Sequence, residues 1–315
     1  MSGVRVGVVG VGALGQHHAR IYADLAGVRL VGVYDTDEAR AREVARRHSV
    51  PVFERLDDLL EEVEAVSLAV PTVDHHALGR TLLGAGKHVL VEKPLTRTLL
   101  EADELIGLAA TQGSVLQVGH VERFNPAFSL LRSAVRAPRF VEVHRLSAFS
   151  MRSLDIDVVL DLMIHDLDLV LALDASEPEQ VDAVGVPVLS SRPDIANARL
   201  RFASGLIANL TASRVSTERV RKFRVFAPRT YVSADLAARE AQVYRLEGEA
   251  SAPEIRIERV SAPEQEPLRL ELEAFVRAVG EGSGPAVSGA DGRRALALAL
   301  TILERVGDQS SGPPQ

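Results

Sequence analysis

Residues 4–10, VRVGVVG, are almost continuously apolar and run straight into VGALGQHHAR, so that Gly10, Gly12 and Gly15 complete a G-x-G-x-x-G pattern. Few folds admit an apolar strand that ends on glycines and opens a helix. Gly10 permits a tight turn, Gly12 lets the backbone approach a ligand, and Gly15 allows close helix packing. The amide N–H groups of the helix start, with Ala13 and Leu14 completing the loop, then face a pyrophosphate. The second apolar run, VRLVGVYD, ends at Asp35, twenty residues past Gly15, where a carboxylate would hold ribose hydroxyls. Thr36 and Asp37 follow, with no immediate arginine for a 2′-phosphate, so the pattern points to NAD rather than NADP. The plainer alternative is a glycine turn in which Asp35 caps the next helix. His17 and His18 fall within the first helix and read as structural.

Three more short apolar runs, AVSLAVP (65–71), KHVLVEKP (87–94) and VLQVGH (115–120), alternate with amphipathic stretches such as DEARAREVARRH and LLEADELIGLAATQG. Strands apolar along their whole length suit a parallel sheet covered on both faces, and the alternation suits a doubly wound α/β domain. After residue 136 the texture becomes two-residue alternation in FVEVHRLSAF, VDAVGVPV, ANARLRFA, GLIANLTAS, KFRVFA and EIRIERV. That predicts a largely antiparallel sheet with one face more exposed. The expected fold is α/β: a Rossmann doubly wound parallel sheet over 1–121, then an α+β domain with an open-faced, largely antiparallel sheet over 122–307, and a disordered tail over 308–315. Helices are expected at 157–173, 268–279 and 291–306.

Composition narrows the partners. Net charge is −7 with acids and bases interspersed, which argues against nucleic acid or an acidic membrane surface. Zero cysteines exclude disulfides and thiolate metal sites. No apolar run reaches the length of a membrane span, so a soluble, cytoplasmic protein is expected. Of 36 basic residues only Lys87, Lys93 and Lys222 are lysines. Lys93 ends an apolar run directly before Pro94, and an ammonium can shift or lose its proton where a guanidinium cannot. The bland alternative is a strand-end lysine reaching solvent.

On a helix over 157–173, Asp157, Asp161, His165 and Asp168 fall within an arc of roughly 80°, while nearly every other position is Val, Leu, Ile or Met. Asp166 lies opposite and reads as a structural hydrogen-bonding group. The stripe is either a solvated helix face, a metal site through Asp161 and His165 with no clear third ligand, or acid–base chemistry. Imidazole titrates near neutrality and can accept a hydroxyl proton, so acid–base chemistry is the preferred reading and no metal is expected.

GVGALGQHHAR, VEKPL, GHVERFNP and DLMIHDLD, in this order, resemble the Gfo/Idh/MocA oxidoreductases over nearly the whole chain. The resemblance implies NAD as cofactor, Thr72, His75, Glu92 and Lys93 beside it, and Lys93, Asp161 and His165 as the catalytic group. Within that family GHVERFNPAF and LDIDVVLDLMIHDLDL resemble the UDP-N-acetylglucosamine 3-dehydrogenase branch. This implies a nucleotide-sugar substrate contacted by Arg123, Asn125 and Arg152, a 3-ketone passed to a pathway aminotransferase for lipid A precursors, and a homodimer or homotetramer. Asn125 has a plain alternative as the cap of a helix starting at Pro126, and Arg123 as a surface ion pair. The other readings are a dehydrogenase of a free polyol such as inositol or glucose, and a non-catalytic NAD-binding regulator.

Overall fold

The computed structural model describes residues 3–149, 156–249, 253–261 and 264–310, the side chains as far as 307. Two compact units form: residues up to 121 together with 266–296, and residues 122–265 together with those from 297 on.

The first unit is built on β1 (Val4–Val9), β2 (Val28–Tyr34), β3 (Ala65–Leu68), β4 (His88–Glu92) and β5 (Leu116–Gly119), all paired in parallel in the order β2-β1-β3-β4-β5. A single parallel bridge from Val33 to Val52 adds a rudimentary strand outside β2, completing the strand order of a dinucleotide-binding sheet. The central strands are buried on both faces, as the unbroken apolar runs require. Connecting them are α1 (Gly15–Asp24), α2 (Glu38–His48), α3 (Leu56–Glu62), α4 (Thr72–Gly84) and α5 (Leu99–Gln112).

In the second unit α6 (Pro126–Ala134) precedes an eight-stranded sheet of β6 (Phe140–Leu146), β7 (Pro178–Val186), β8 (Ile195–Phe202), β9 (Ile207–Ser213), β10 (Val220–Ala227), β11 (Thr230–Asp235), β12 (Glu240–Glu247) and β13 (Glu254–Ser261). Its order is β13-β12-β11-β10-β6-β9-β8-β7, antiparallel throughout except for the β6–β9 pair. Alternation aims Val141 and Val143 of β6 and Phe223 and Val225 of β10 into the core, where Phe128 of α6 meets Phe223 edge-on at 5.9 Å. Between β6 and β7 runs a π-turn, Val159–Met163, continued by α7 (Ile164–Leu173). The chain closes with α8 (Pro267–Glu281) and α9 (Gly289–Ser310).

Two expectations are corrected. Residues 266–296 belong with the first unit, because Leu272, Phe275 and Ala278 of α8 are buried in one cluster with Val6, Val8, Ala19 and Tyr22. The last helix runs through Gly307 to Ser310, past the expected helix end at 306 and into the first residues of the expected tail, with no proline before Ser310 to stop it. Phe275 is fully buried. Phe275→Ala should lower the free energy of unfolding by about 3–5 kcal/mol in urea melts monitored by circular dichroism; a change near zero would place α8 outside the core.

Candidate active site

The glycine turn follows β1 at the carboxyl edge of the parallel sheet. Gly10 has φ +83°, and a Cβ there would stand 2.6 Å from the Ala69 carbonyl oxygen. At Gly15 a Cβ would stand 1.8 Å from the Gly10 carbonyl oxygen, so no side chain fits. Gly12 is different: a Cβ there would meet nothing nearer than Arg40 Nη1 at 3.6 Å. That bare stretch, beside the start of α1, has room for a pyrophosphate. Ala13 and Leu14 are exposed on it, Leu14 at 49%.

Asp35, just past β2, clasps this turn. Its Oδ2 accepts from Val11 N at 2.8 Å and its Oδ1 from Asp37 N at 2.8 Å. A carboxylate has about four acceptor positions, so two amides leave capacity for ribose hydroxyls. The residues present therefore fit a dinucleotide. Sequence reasoning missed Arg40, whose guanidinium lies 2.7 Å from Asp37 and 3.5 Å from Asp35. The signal was its place three residues after Asp37, the N-cap of α2.

The Glu-Lys-Pro turn sits at the same edge, after β4. Glu92 is buried; its Oε1 pairs with His18 Nε2 at 3.0 Å and its Oε2 accepts from Lys93 N at 3.3 Å. Burial alone would raise the Glu92 pKa, but the His18 hydrogen bond and nearby positive charge bring it below the ordinary carboxyl value. The carboxylate rests on bare backbone, since a Cβ on Gly119 would stand 2.9 Å from Glu92 Oε2. Lys93 is half-buried, and the bond to Pro94 is cis. His18, read as structural in the sequence, braces the motif. His75 does so too: Nδ1 lies 2.9 Å from the Pro94 carbonyl oxygen and Nε2 3.0 Å from that of Val70, with the ring 1% exposed. Thr72 opens α4 and is half-buried.

In the second unit the polar stripe resolves into two kinds of residue. Asp157 accepts from Arg192 Nη1 at 2.9 Å. Asp168 receives a bidentate grip from Arg123, Nε to Oδ2 at 2.8 Å and Nη2 to Oδ1 at 2.5 Å. Asp161 and His165 are half-buried. Asp161 lies inside the π-turn, whose i→i+5 bonding departs from the uniform 100° step of the expected helical wheel. On the opposite face Asp166 is buried and held by Arg145 through bonds of 2.8 and 2.7 Å, and Arg145 also donates to Glu122 at 2.8 Å. Burial opposes the Arg145 charge, but the two carboxylates around it push its pKa upward.

Asn125 is corrected by its contacts. It is 2% exposed, its Nδ2 donates to Glu122 Oε2 and the Leu236 carbonyl, and its Oδ1 accepts from Ala127 N as the N-cap of α6. Both Nδ2 hydrogens are thus engaged and Oδ1 caps the helix, so the buried amide serves the fold rather than a substrate. Arg152 lies outside the described residues. Lys93 belongs to the first unit, Asp161, His165 and Arg123 to the second.

Residues 4–120 match the model of an oxidoreductase family with an NAD-binding Rossmann fold, and residues 130–232 match the GFO/IDH/MocA C-terminal domain. Over 303 residues the chain is 43% identical to UDP-N-acetylglucosamine 3-dehydrogenase of Acidithiobacillus ferrooxidans, covering 95% of this chain and 96% of that one. The chain belongs to the Gfo/Idh/MocA oxidoreductases. The crystal structure of that enzyme, GnnA, superposes with TM-score 0.92 at 41% identity, over 98% of this chain and 99% of that one. Myo-inositol 2-dehydrogenase of Thermotoga maritima is more distant, 27% identical over 98% of each chain. A levoglucosan dehydrogenase in complex with NADH shares the fold with TM-score 0.85 at 20% identity, over 98% of each chain. This Gfo/Idh/MocA chain is accordingly an NAD-dependent oxidoreductase. Among the described residues no helix is long and apolar enough to cross a membrane.

Burial of His75 holds its pKa below the ordinary 6.5. The unfolded chain then takes up a proton that the folded ring refuses, so folding stability falls as pH drops below about 6.5. His75→Gln should show a smaller loss of unfolding midpoint than the parent between about pH 7 and about pH 5.5. Equal losses in thermal melts at fixed ionic strength would remove His75 from the account.

Proposed function

We propose that this oxidoreductase converts the 3-hydroxyl of UDP-N-acetylglucosamine to a ketone, using NAD. The observation that carries the reading is the 43% identity to an enzyme of that activity along 95% of the chain, with an equally full structural match. Inositol dehydrogenases are also relatives, at 27% identity, and they define the competing substrate class.

The chain's own residues divide the chemistry. The Gly10–Gly15 turn and Asp35 bind the dinucleotide, with Thr72 at the start of α4 bordering it; Glu92, His75 and His18 fix the turn that presents Lys93. When bound, the nicotinamide accepts the hydride from carbon 3. His165 takes the hydroxyl proton, Asp161 orients the imidazole or grips a neighbouring hydroxyl, and Lys93 donates a hydrogen bond to the oxygen as its charge grows. Arg123 is preset by Asp168, and Arg152 is assigned to the diphosphate. Asp168 and Asp157 hold side chains in place and take no part in proton transfer.

The product, a sugar ketone, suits a following aminotransferase, and a diamino-sugar lipid A precursor is one use of the amine. The reaction is assigned to the cytoplasm. Phe140, Phe226, Tyr231 and Tyr244 form a row across β6, β10, β11 and β12, with ring centroids 5.5, 4.7 and 5.3 Å apart. Ile257, paired with Tyr244 and 56% exposed, extends it. So long an apolar stripe supports a second copy covering this face, in a homodimer or homotetramer.

Incubation with NAD and a panel of nucleotide sugars and free polyols should give NADH absorbance with UDP-N-acetylglucosamine and little with inositol or glucose. A polyol preference would move the chain to the second class, and NAD binding without turnover of any sugar would make it a regulator. Lys93→Ala should retain NAD binding while kcat falls by about 10²–10⁴-fold; full turnover would refute the role of Lys93.

A further inference from the structure

Arg40 is the feature that the dinucleotide reading leaves without a task. It stands on the first turn of α2, Nη2 2.7 Å from Asp37 Oδ2 and Nη1 3.5 Å from Asp35 Oδ2. The same Nη1 is the atom nearest the open side of Gly12. The guanidinium thus lies between the carboxylate assigned to the ribose and the bare backbone assigned to the pyrophosphate. A phosphate ester on the ribose 2′-oxygen would bring negative charge to where one guanidinium and two carboxylates already meet. The planar fork of an arginine suits that group, whereas each carboxylate repels it.

We propose that Arg40 is a 2′-phosphate ligand held in reserve: the chain binds NADP as well as NAD, more weakly, and Asp37 sets the ratio. This rests on the reading that Asp35 takes the adenosine ribose. Two acids against one base favour the unphosphorylated ribose. Removing the charge at Asp37 makes the count even and frees the Arg40 guanidinium from its closest partner. Asp37 also caps α2, its Oδ1 accepting from Arg40 N at 3.1 Å. Asparagine caps as well as aspartate, so Asp37→Asn removes the charge and keeps the helix start.

Dissociation constants for NAD and NADP, measured by calorimetry without sugar, test the proposal. The parent should bind NADP measurably. In Asp37→Asn the ratio of NADP to NAD affinity should rise at least about tenfold, and Arg40→Ala added to it should abolish the rise. An unchanged ratio in Asp37→Asn, or a rise that survives the loss of Arg40, would overturn the proposal. Asp35→Ser tests the underlying reading separately: it should weaken NAD binding, and unaltered NAD affinity there would move the ribose elsewhere whatever the NADP ratios do.

Discussion

A Cβ at Gly15 would lie 1.8 Å from the Gly10 carbonyl oxygen, and the rest of the nucleotide-binding unit depends on the closeness of that approach. It docks the first turn of α1 on the end of β1 more tightly than any side chain allows. With α1 fixed, His18, one turn on, is wholly buried and reaches Glu92 at 3.0 Å. Glu92 in turn holds the main-chain N–H of Lys93. Two glycines at the first strand thereby govern an amine that follows the fourth. Asp35 closes the arrangement by gripping the turn at Val11 while keeping acceptor capacity for a ligand.

The second unit makes the opposite choice and buries charge. Arg145, Glu122 and Asp166 are nearly inaccessible and bonded to one another, and Arg221 adds a second guanidinium to Glu122. Such clusters seldom add net stability over apolar packing, but removing one member leaves an uncompensated charge and costs about 3–5 kcal/mol. Their directionality is what packing cannot supply. Arg145 and Arg123 grip Asp166 and Asp168 from opposite faces of α7, which fixes the rotation of the helix carrying His165. The π-turn just before it carries Asp161, a deviation from regular helix of the kind found at functional sites.

The first sheet was legible in the sequence because strands buried on both faces read as unbroken apolar runs, and all five such runs are strands. β11 and β12 were not read: AAREAQVYRLEGE, the stretch that holds β12, is rich in Ala, Glu and Arg, which favour helix, and only pairing with β11 and β13 makes it strand. Residues 266–296 followed a run of surface loops, so their place in the first unit's core had no local signature. Within the site, the glycines and Asp35 announced themselves by spacing. His18 and Arg40 did not, because a buried brace and a surface arginine become distinguishable only when the fold brings Glu92, Asp35 and Gly12 beside them. Asn125 stood as a candidate substrate contact and Asp168 as part of the polar stripe, and their partners Leu236 and Arg123 are remote in sequence.

The central claim is that this chain moves hydrogen from carbon 3 of a nucleotide sugar to NAD. Turnover of UDP-N-acetylglucosamine carrying deuterium at carbon 3, followed by mass spectrometry of the reduced nicotinamide, tests it most directly. The account predicts deuterium in the NADH and a slowed rate for the labelled sugar. NADH formed without deuterium would contradict it.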